Sequence, residues 1–156
     1  MYKRQLCAWV LFTQVFLLTQ AKGSSMFPAV KDGDLLICYR LQKTYAKNDV
    51  VVYTQGGKLR VGRILGREGD LVALDDSGTL VVNGAVQSGE ILYPTYAKDA
   101  LEYPYTVPEG CVFVMGDNRN ASTDSRDARL GCVDERYIMG RVYFTLFPVK
   151  NIGVVK

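Results

Sequence analysis

The chain has 156 residues, of which 48% are apolar, and this is enough to fill the core of one domain. Charged residues make up 22%, the formal net charge is +3, and the basic residues are scattered, so no nucleic-acid partner is expected. The sequence contains no histidine, which excludes Ser-His-Asp and Cys-His nucleophile systems and histidine-containing zinc sites. Hydrolysis would require a serine–lysine pair, paired carboxylates or a carboxylate-bound metal. The four cysteines form no C-x-x-C pair, and isolated thiols with no metal or cofactor are expected.

The N-terminus has a basic start, Lys3-Arg4, followed by an apolar run over residues 6–18. As a helix, this run would span about 20 Å, which is shorter than the ~30 Å hydrocarbon core of a bilayer. Its length fits the core of a signal peptide, a truncated membrane anchor or a buried segment, and residues 15–18 also fit an ordinary core strand. No convincing small-residue cleavage site follows. We therefore predict a membrane anchor, complete or incomplete, at 1–20 and a β domain at 21–156.

The rest of the chain is typical of short strands separated by turns. The predicted strands are 35–39, 49–53, 60–65, 71–74, 79–82, 112–115 and 139–147. Glycine and asparagine at 56–57, 75–78 and 83–84 indicate hairpin connections. Residues 88–109 contain three prolines and little periodicity, so an irregular segment is expected there, and a short helical turn is expected near 134–138. This pattern predicts a mainly β fold, a single domain of bent antiparallel sheets after an N-terminal apolar segment.

Three segments carry the residues that could perform chemistry. They are Gly23-Ser24-Ser25-Met26-Phe27-Pro28, a strand running into a glycine-rich turn at 61–70, and a polar stretch at 114–126. A serine in a proline-containing turn is most often only a turn or capping residue. The density of Asp, Asn, Ser and Arg in the third segment indicates a hydrogen-bonded network.

Taken together, these segments resemble the type I signal peptidase family of membrane-anchored Ser-Lys endopeptidases. Ser25-Met26-Phe27-Pro28 is similar to the family's S-M-x-P segment, and residues 48–52 are similar to its G-D-(I/V)-V-V-F strand. Residues 116–126 keep every specified position of the family's G-D-N-R-x-x-S-x-D-S-R box. The resemblance covers most of the chain and implies a signal-peptidase-like β fold.

The resemblance also implies a role for each matching residue. Ser25 falls on the nucleophile position, and its backbone N–H, with Gly23 at the neighbouring donor position, falls on the oxyanion hole. Ser122 falls on the position that orients the amine of the catalytic lysine. The bracing positions of the site match Asp117, Arg119, Asp124, Ser125 and Arg126. The substrate-binding positions match Met26 and Pro28.

The departure from the family pattern concerns the general base. The family motif K-R-x-x-G-x-x-G-D aligns without a gap at Arg63, Gly66, Gly69 and Asp70. Gly62 then stands where the lysine is expected, as in an atypical, Gram-positive-like member. Lys58 shares a strand face with Gly62, but four residues put it about 13 Å away, beyond a lysine's reach. Arg60 and Arg63 cannot replace the lysine because a guanidinium group stays protonated.

Two hypotheses follow from the retained serine and the missing lysine. In the first, the protein binds exported precursors at the extracytoplasmic membrane face, cleaves them weakly or not at all, and assists surface-protein or pilus assembly. Its partners would be precursor proteins, membrane lipid and sortase or pilin assembly components. In the second, it is an active signal peptidase with Ser25 as nucleophile and an unidentified base. A third hypothesis, a self-cleaving repressor, would require an N-terminal DNA-binding helical domain, and the apolar N-terminus argues against it.

Overall fold

A computed structural model describes residues 2–87, 93–98 and 101–156. Over these residues the chain forms one α-helix, α1 (Tyr2–Val15), and two 3₁₀ turns, Glu135–Tyr137 and Val149–Asn151. The strands are β1 (Phe16–Gln20), β2 (Leu35–Tyr39), β3 (Val50–Gln55), β4 (Lys58–Arg67), β5 (Leu71–Leu74), β6 (Leu80–Val82), β7 (Ala85–Val86), β8 (Tyr105–Thr106), β9 (Cys111–Met115), β10 (Val133–Asp134), β11 (Ile138–Phe147) and β12 (Gly153–Val154).

The strands form two sheets. The larger has the order β1-β2-β11-β3-β4-β9-β10, with β12 pairing onto β11, and the smaller has the order β7-β6-β5-β8. Neighbouring strands in both sheets run antiparallel. Register shifts interrupt β4 between Ile64 and Gly66 and β11 between Val142 and Phe144. Because such bulges increase the local twist, they bend the larger sheet, and the predicted mainly β fold of bent antiparallel sheets is confirmed.

The core strands are apolar almost throughout because both of their faces are covered. Residues 50–53 of β3 and 112–115 of β9 are all buried. On one side the larger sheet packs with Met26 and Val30. At the other end β4 and β9 join the smaller sheet through a cluster formed by Leu65, Val72, Leu80, Val82, Val107, Phe113 and Met115. The strands that carry the polar segments are therefore held rigidly on both sides.

The N-terminal segment divides between two kinds of structure. The helix α1 ends at Val15, and residues 16–20 form β1, which pairs with β2 in register from Phe16 opposite Tyr39 to Gln20 opposite Leu35. The strand alternative raised for residues 15–18 is thus observed from Phe16 onward. Aromatic rings connect the helix to the sheet, with the tilted rings of Phe12 and Phe16 5.2 Å apart between centroids. Within the described residues, no helix is long and apolar enough to cross a membrane.

Most predicted strands are present, with small changes at their ends. The predicted strand 60–65 extends over Lys58–Arg67, and the predicted helical turn is the 3₁₀ turn Glu135–Tyr137, which Asp134 caps by accepting from the Arg136 N–H. Two-residue strands such as β7 and β10 are too short to show a period and were not predicted. Of the irregular segment expected at 88–109, residues 88–92 and 99–100 lie outside the described residues. All four cysteines are free thiols.

Candidate active site

A cleft of about 820 Å³ is lined by three parts of the chain. They are residues 19–26, from the end of β1 through the following turn, residues 58–61 of β4, and Gly116 with residues 121–124. The three segments that stand out in the sequence therefore meet at this cleft.

Ser25 is held at the cleft by a turn fixed on both sides. Gly23 has φ +80°, a conformation that favours glycine, and its backbone N–H donates to the Asp32 carboxylate at 2.7 Å. Met26, the residue after Ser25, is buried in the core. The carbonyl of Ser25 accepts from the Asn118 N–H at 2.9 Å, which ties the turn to the polar loop. Ser25 is therefore half-buried and faces the cleft.

The polar loop is built around a buried ion pair. Arg126 donates to Asp124 from Nε at 2.8 Å and from Nη2 at 2.9 Å, and both side chains are almost fully buried. The Ser122 hydroxyl donates to Asp124 and accepts from Arg126 Nη2 at 2.9 Å. Burial alone would raise the pKa of Asp124, but the hydrogen bonds and charge of Arg126, with the bonds from Ser122 and Gly116, lower it below its usual value. Asp124 is therefore a charged, fully engaged carboxylate.

A second buried arginine connects this loop to the irregular segment. Arg119 donates from Nε to the Gly116 carbonyl at 3.0 Å, from Nη2 to Gln87 Oε1 at 2.8 Å, and from Nη1 to Thr95. Burial, followed by the charge of Arg126, lowers the pKa of Arg119 to about 10. Residues 93–98 thus cover the loop, which the sequence did not reveal because this stretch has no periodicity.

The remaining positions of the box tie the loop to the sheet. Asp117 forms a two-pronged ion pair with Arg63 of β4, at 2.7 Å to Nε and 2.6 Å to Nη2. Ser125 exchanges two bonds with Val114 of β9, accepting from its N–H and donating to its carbonyl, each at 3.0 Å. These contacts fix the loop against β4 and β9.

Two glycines lie where strand and loop approach closely. Gly62 and Gly116 each adjoin one member of the Arg63–Met115 pair of β4 and β9, so they lie side by side. Gly116 lines the cleft, whereas the described lining does not include Gly62. A Cβ at Gly116 would lie 2.5 Å from the Ser25 carbonyl oxygen. A Cβ at Gly62 would lie 2.4 Å from Val114 Cγ1 and 3.2 Å from Tyr53 Cε1. A side chain at Gly62 would therefore require Val114 to move.

Tyr53 and Arg60 are part of the cleft although the sequence interpretation gave neither a role there. They are opposite each other in the β3–β4 pair, and both line the cleft. Burial, followed by the negative charge of Asp124, raises the pKa of Tyr53 to about 12, and the charge of Arg60 opposes this rise. The Tyr53 phenol is therefore neutral and cannot accept a proton at physiological pH.

Three lysines lie in or near the cleft. Lys22 and Lys58 line it and are exposed. Lys98, from the irregular segment, donates from its amine to the Ser122 carbonyl, and its pKa is lowered by burial and then by Arg126. Among the predicted substrate-binding residues, Met26 lines the cleft, whereas the described lining does not include Pro28.

Comparison with known proteins identifies the family to which the chain is similar. Residues 4–147 match the family model described as signal peptidase, peptidase S26. The chain is 34% identical to signal peptidase I of Bacillus licheniformis, over 84% of this chain and 76% of that protein. It is 31% identical to signal peptidase IB of Staphylococcus aureus, over 94% of this chain and 92% of that protein.

A solved structure agrees with these matches. The crystal structure of a signal peptidase I from Enterococcus faecalis aligns with a TM-score of 0.52 and 29% identity, over 67% of this chain and 97% of that one. The expected signal-peptidase-like fold is thereby confirmed. The chain belongs to the signal peptidase family, peptidase S26.

Proposed function

We propose that the protein is of signal peptidase I type and binds the signal-peptide region of exported precursors in the cleft beside Ser25. Relatives of this chain are named signal peptidase I and signal peptidase IB, and the cleft beside Ser25 has a volume of about 820 Å³. Among the described residues, β9 pairs with residues 63–67 of β4, so residues 58–62 have β3 on one side and no strand on the other, and residues 58–61 line the cleft. A peptide can therefore add as a further strand at this edge.

The proposed location is the extracytoplasmic face of the cell membrane. The helix α1 buries none of its residues, and Leu6, Trp9 and Leu11 are each more than 60% exposed. Such a surface fits contact with lipid. Surface-protein or pilus assembly, with sortase or pilin components as further partners, is the accessory role that we propose for a member that does not cleave.

The first candidate function is binding with weak or no cleavage, and one observation carries it. Gly62, the position aligned with the family's lysine, supplies no amine, and Val114 and Tyr53 occupy the space that a side chain there would need. Without a proton acceptor, attack by the Ser25 hydroxyl on a carbonyl carbon would be slower by several orders of magnitude. Peptide binding requires only the strand edge and would persist.

The second candidate function is cleavage of signal peptides with Ser25 as nucleophile. It is favoured by the names of the relatives and by Lys98, whose amine contacts Ser122 and whose pKa is lowered. In this reaction the Ser25 oxygen would bond to the scissile carbonyl carbon while its proton passes to a neutral lysine amine. The proton would then go to the departing amine of the peptide, and water would release the acyl group.

One experiment tests the proposed function and separates the candidates. The detergent-solubilised protein is incubated with a purified secretory precursor, and both retention of the precursor and the masses of the products are measured. Wild type, Ser25→Ala and Lys98→Gln are compared. The first candidate predicts that wild type and Ser25→Ala retain intact precursor equally. The second predicts cleavage that both substitutions abolish, whereas failure of every variant to retain or cleave the precursor would contradict the proposed function.

A further inference from the structure

The charges that line the cleft are unbalanced. Lys22, Lys58 and Arg60 line it, and among the described lining residues Asp124 is the sole acid. The Asp124 carboxylate is already paired with the buried Arg126. The cleft therefore presents a net positive surface to whatever enters it.

Arg60 has unused hydrogen-bonding capacity inside this cleft. Its Nη1 donates to the Thr123 carbonyl at 3.3 Å, while its Nε is buried and has no partner. None of the ion pairs between described residues includes Arg60. A guanidinium group has five N–H donors in a planar fork that matches a carboxylate. Because Nε is buried, an arriving carboxylate would bind the Nη side of the fork, where Nη2 has no hydrogen-bond partner among the described residues.

The position of Arg60 relates it to a bound strand. Side chains alternate along a strand, so Lys58, Arg60 and Gly62 share one face of β4, and Lys58 and Arg60 of this face line the cleft. Residues 58–62 also carry the open edge at which a peptide can add. Oppositely charged residues that face each other across neighbouring strands stabilise the pair. An acidic side chain of the peptide would thus meet Arg60 without any change in the sheet.

We infer that the cleft selects peptides that carry an aspartate or glutamate close to the bond facing Ser25, and that Arg60 recognises this carboxylate. Gly62 aligns with the family's lysine, so we place the bond that faces Ser25 opposite Gly62. Arg60 lies two residues from Gly62, about 7 Å along the strand, and the acid would therefore lie about two residues from that bond. Lys58, two residues before Arg60 on the same face of β4, adds a second positive charge that attracts the carboxylate. The inference rests on the proposed binding of precursor peptides in this cleft.

The test measures binding rather than cleavage. Fluorescein-labelled extended peptides based on a neutral, alanine-rich precursor junction carry a single Asp at successive positions, each matched by one peptide with Asn and one with Lys there. Their dissociation constants are measured by fluorescence anisotropy for the full-length protein in detergent. The protein variants are wild type, Arg60→Gln and Arg60→Glu, with Lys43→Gln as a control that removes one exposed charge outside the cleft.

At the best position we expect wild type to bind the Asp peptide about tenfold more tightly than the Asn peptide, equivalent to about 1.4 kcal/mol. This ratio should fall toward one in Arg60→Gln and stay unchanged in Lys43→Gln. Arg60→Glu should instead prefer a peptide with Lys at that position, which a merely structural role would not produce. Equal binding of Asp and Asn peptides at every position by wild type would overturn the inference and leave the proposed function standing. Failure to bind any of the peptides would overturn both.

Discussion

At the scale of single residues, the Asp124–Arg126 pair is the best example of a contact that determines the site. Asp124 is buried with Arg126, Ser122 and the Gly116 N–H as its partners. Asp124→Asn keeps the shape of the side chain but leaves the Arg126 charge buried and uncompensated. We expect a loss of about 3 kcal/mol in the free energy of unfolding at neutral pH, measured by urea denaturation.

The same pair predicts a dependence on pH. The pKa of Asp124 is lower in the folded protein than the value of about 3.9 of an unfolded chain, so its contribution is present above about pH 4 and is lost as the pH falls through the folded pKa. The stability difference between wild type and Asp124→Asn should therefore shrink in the acid range. Asp76→Asn, an exposed control, should change stability little at either pH. An equal difference at pH 7 and in strong acid would contradict the assignment.

At the scale of secondary-structure elements, the close approach of β4 and β9 decides whether a lysine could act from position 62. Gly62→Lys alone would drive a Cβ into Val114 Cγ1. Gly62→Lys combined with Val114→Ala removes that contact and gives the amine room on the face that holds Ser25 and Ser122. We expect the double variant to gain cleavage of a signal-peptide substrate by at least about tenfold, because one proton acceptor contributes 10² or more.

The controls for this prediction are Val114→Ala alone and the double variant carrying Ser25→Ala. Neither should gain activity, and circular dichroism should show that the double variant is folded. A folded double variant with no more cleavage than Val114→Ala would mean that the missing amine is not what limits the reaction.

At the scale of the whole molecule, the mainly β fold could be predicted because its strands are apolar, short and bounded by glycine turns. Residues 50–53 and 112–115 are buried on both faces, and this leaves a continuous apolar run in the sequence. The polar box at 116–126 could be located for the opposite reason, since so many hydrogen-bonding groups after a buried strand require partners. Its partners Thr95 and Gln87 could not be predicted, because Thr95 lies in the segment 88–109 without periodicity and Gln87 directly precedes that segment.

Other features depended on tertiary pairing and were hidden for that reason. The apolar run 6–18 is interrupted only by Thr13 and Gln14, and this pair does not indicate a change from helix to strand; β2 offers the edge to which residues 16–20 pair as a strand. Arg60 could be judged from sequence only as a poor base. Its place beside the cleft, opposite Tyr53, follows from the β3–β4 register, which the hairpin glycines alone do not specify.

The central claim is that a precursor peptide binds as an added strand between residues 19–26 and the open edge of β4. Hydrogen–deuterium exchange of the detergent-solubilised protein, with and without a saturating signal-peptide segment, tests it most directly. We predict that those amides of residues 58–62 that do not bond to β3 become protected, together with those of the Ser25 turn, while β5 and β6 of the smaller sheet are unchanged. Binding that leaves exchange at 58–62 unaltered, or that protects a different surface instead, would contradict the account.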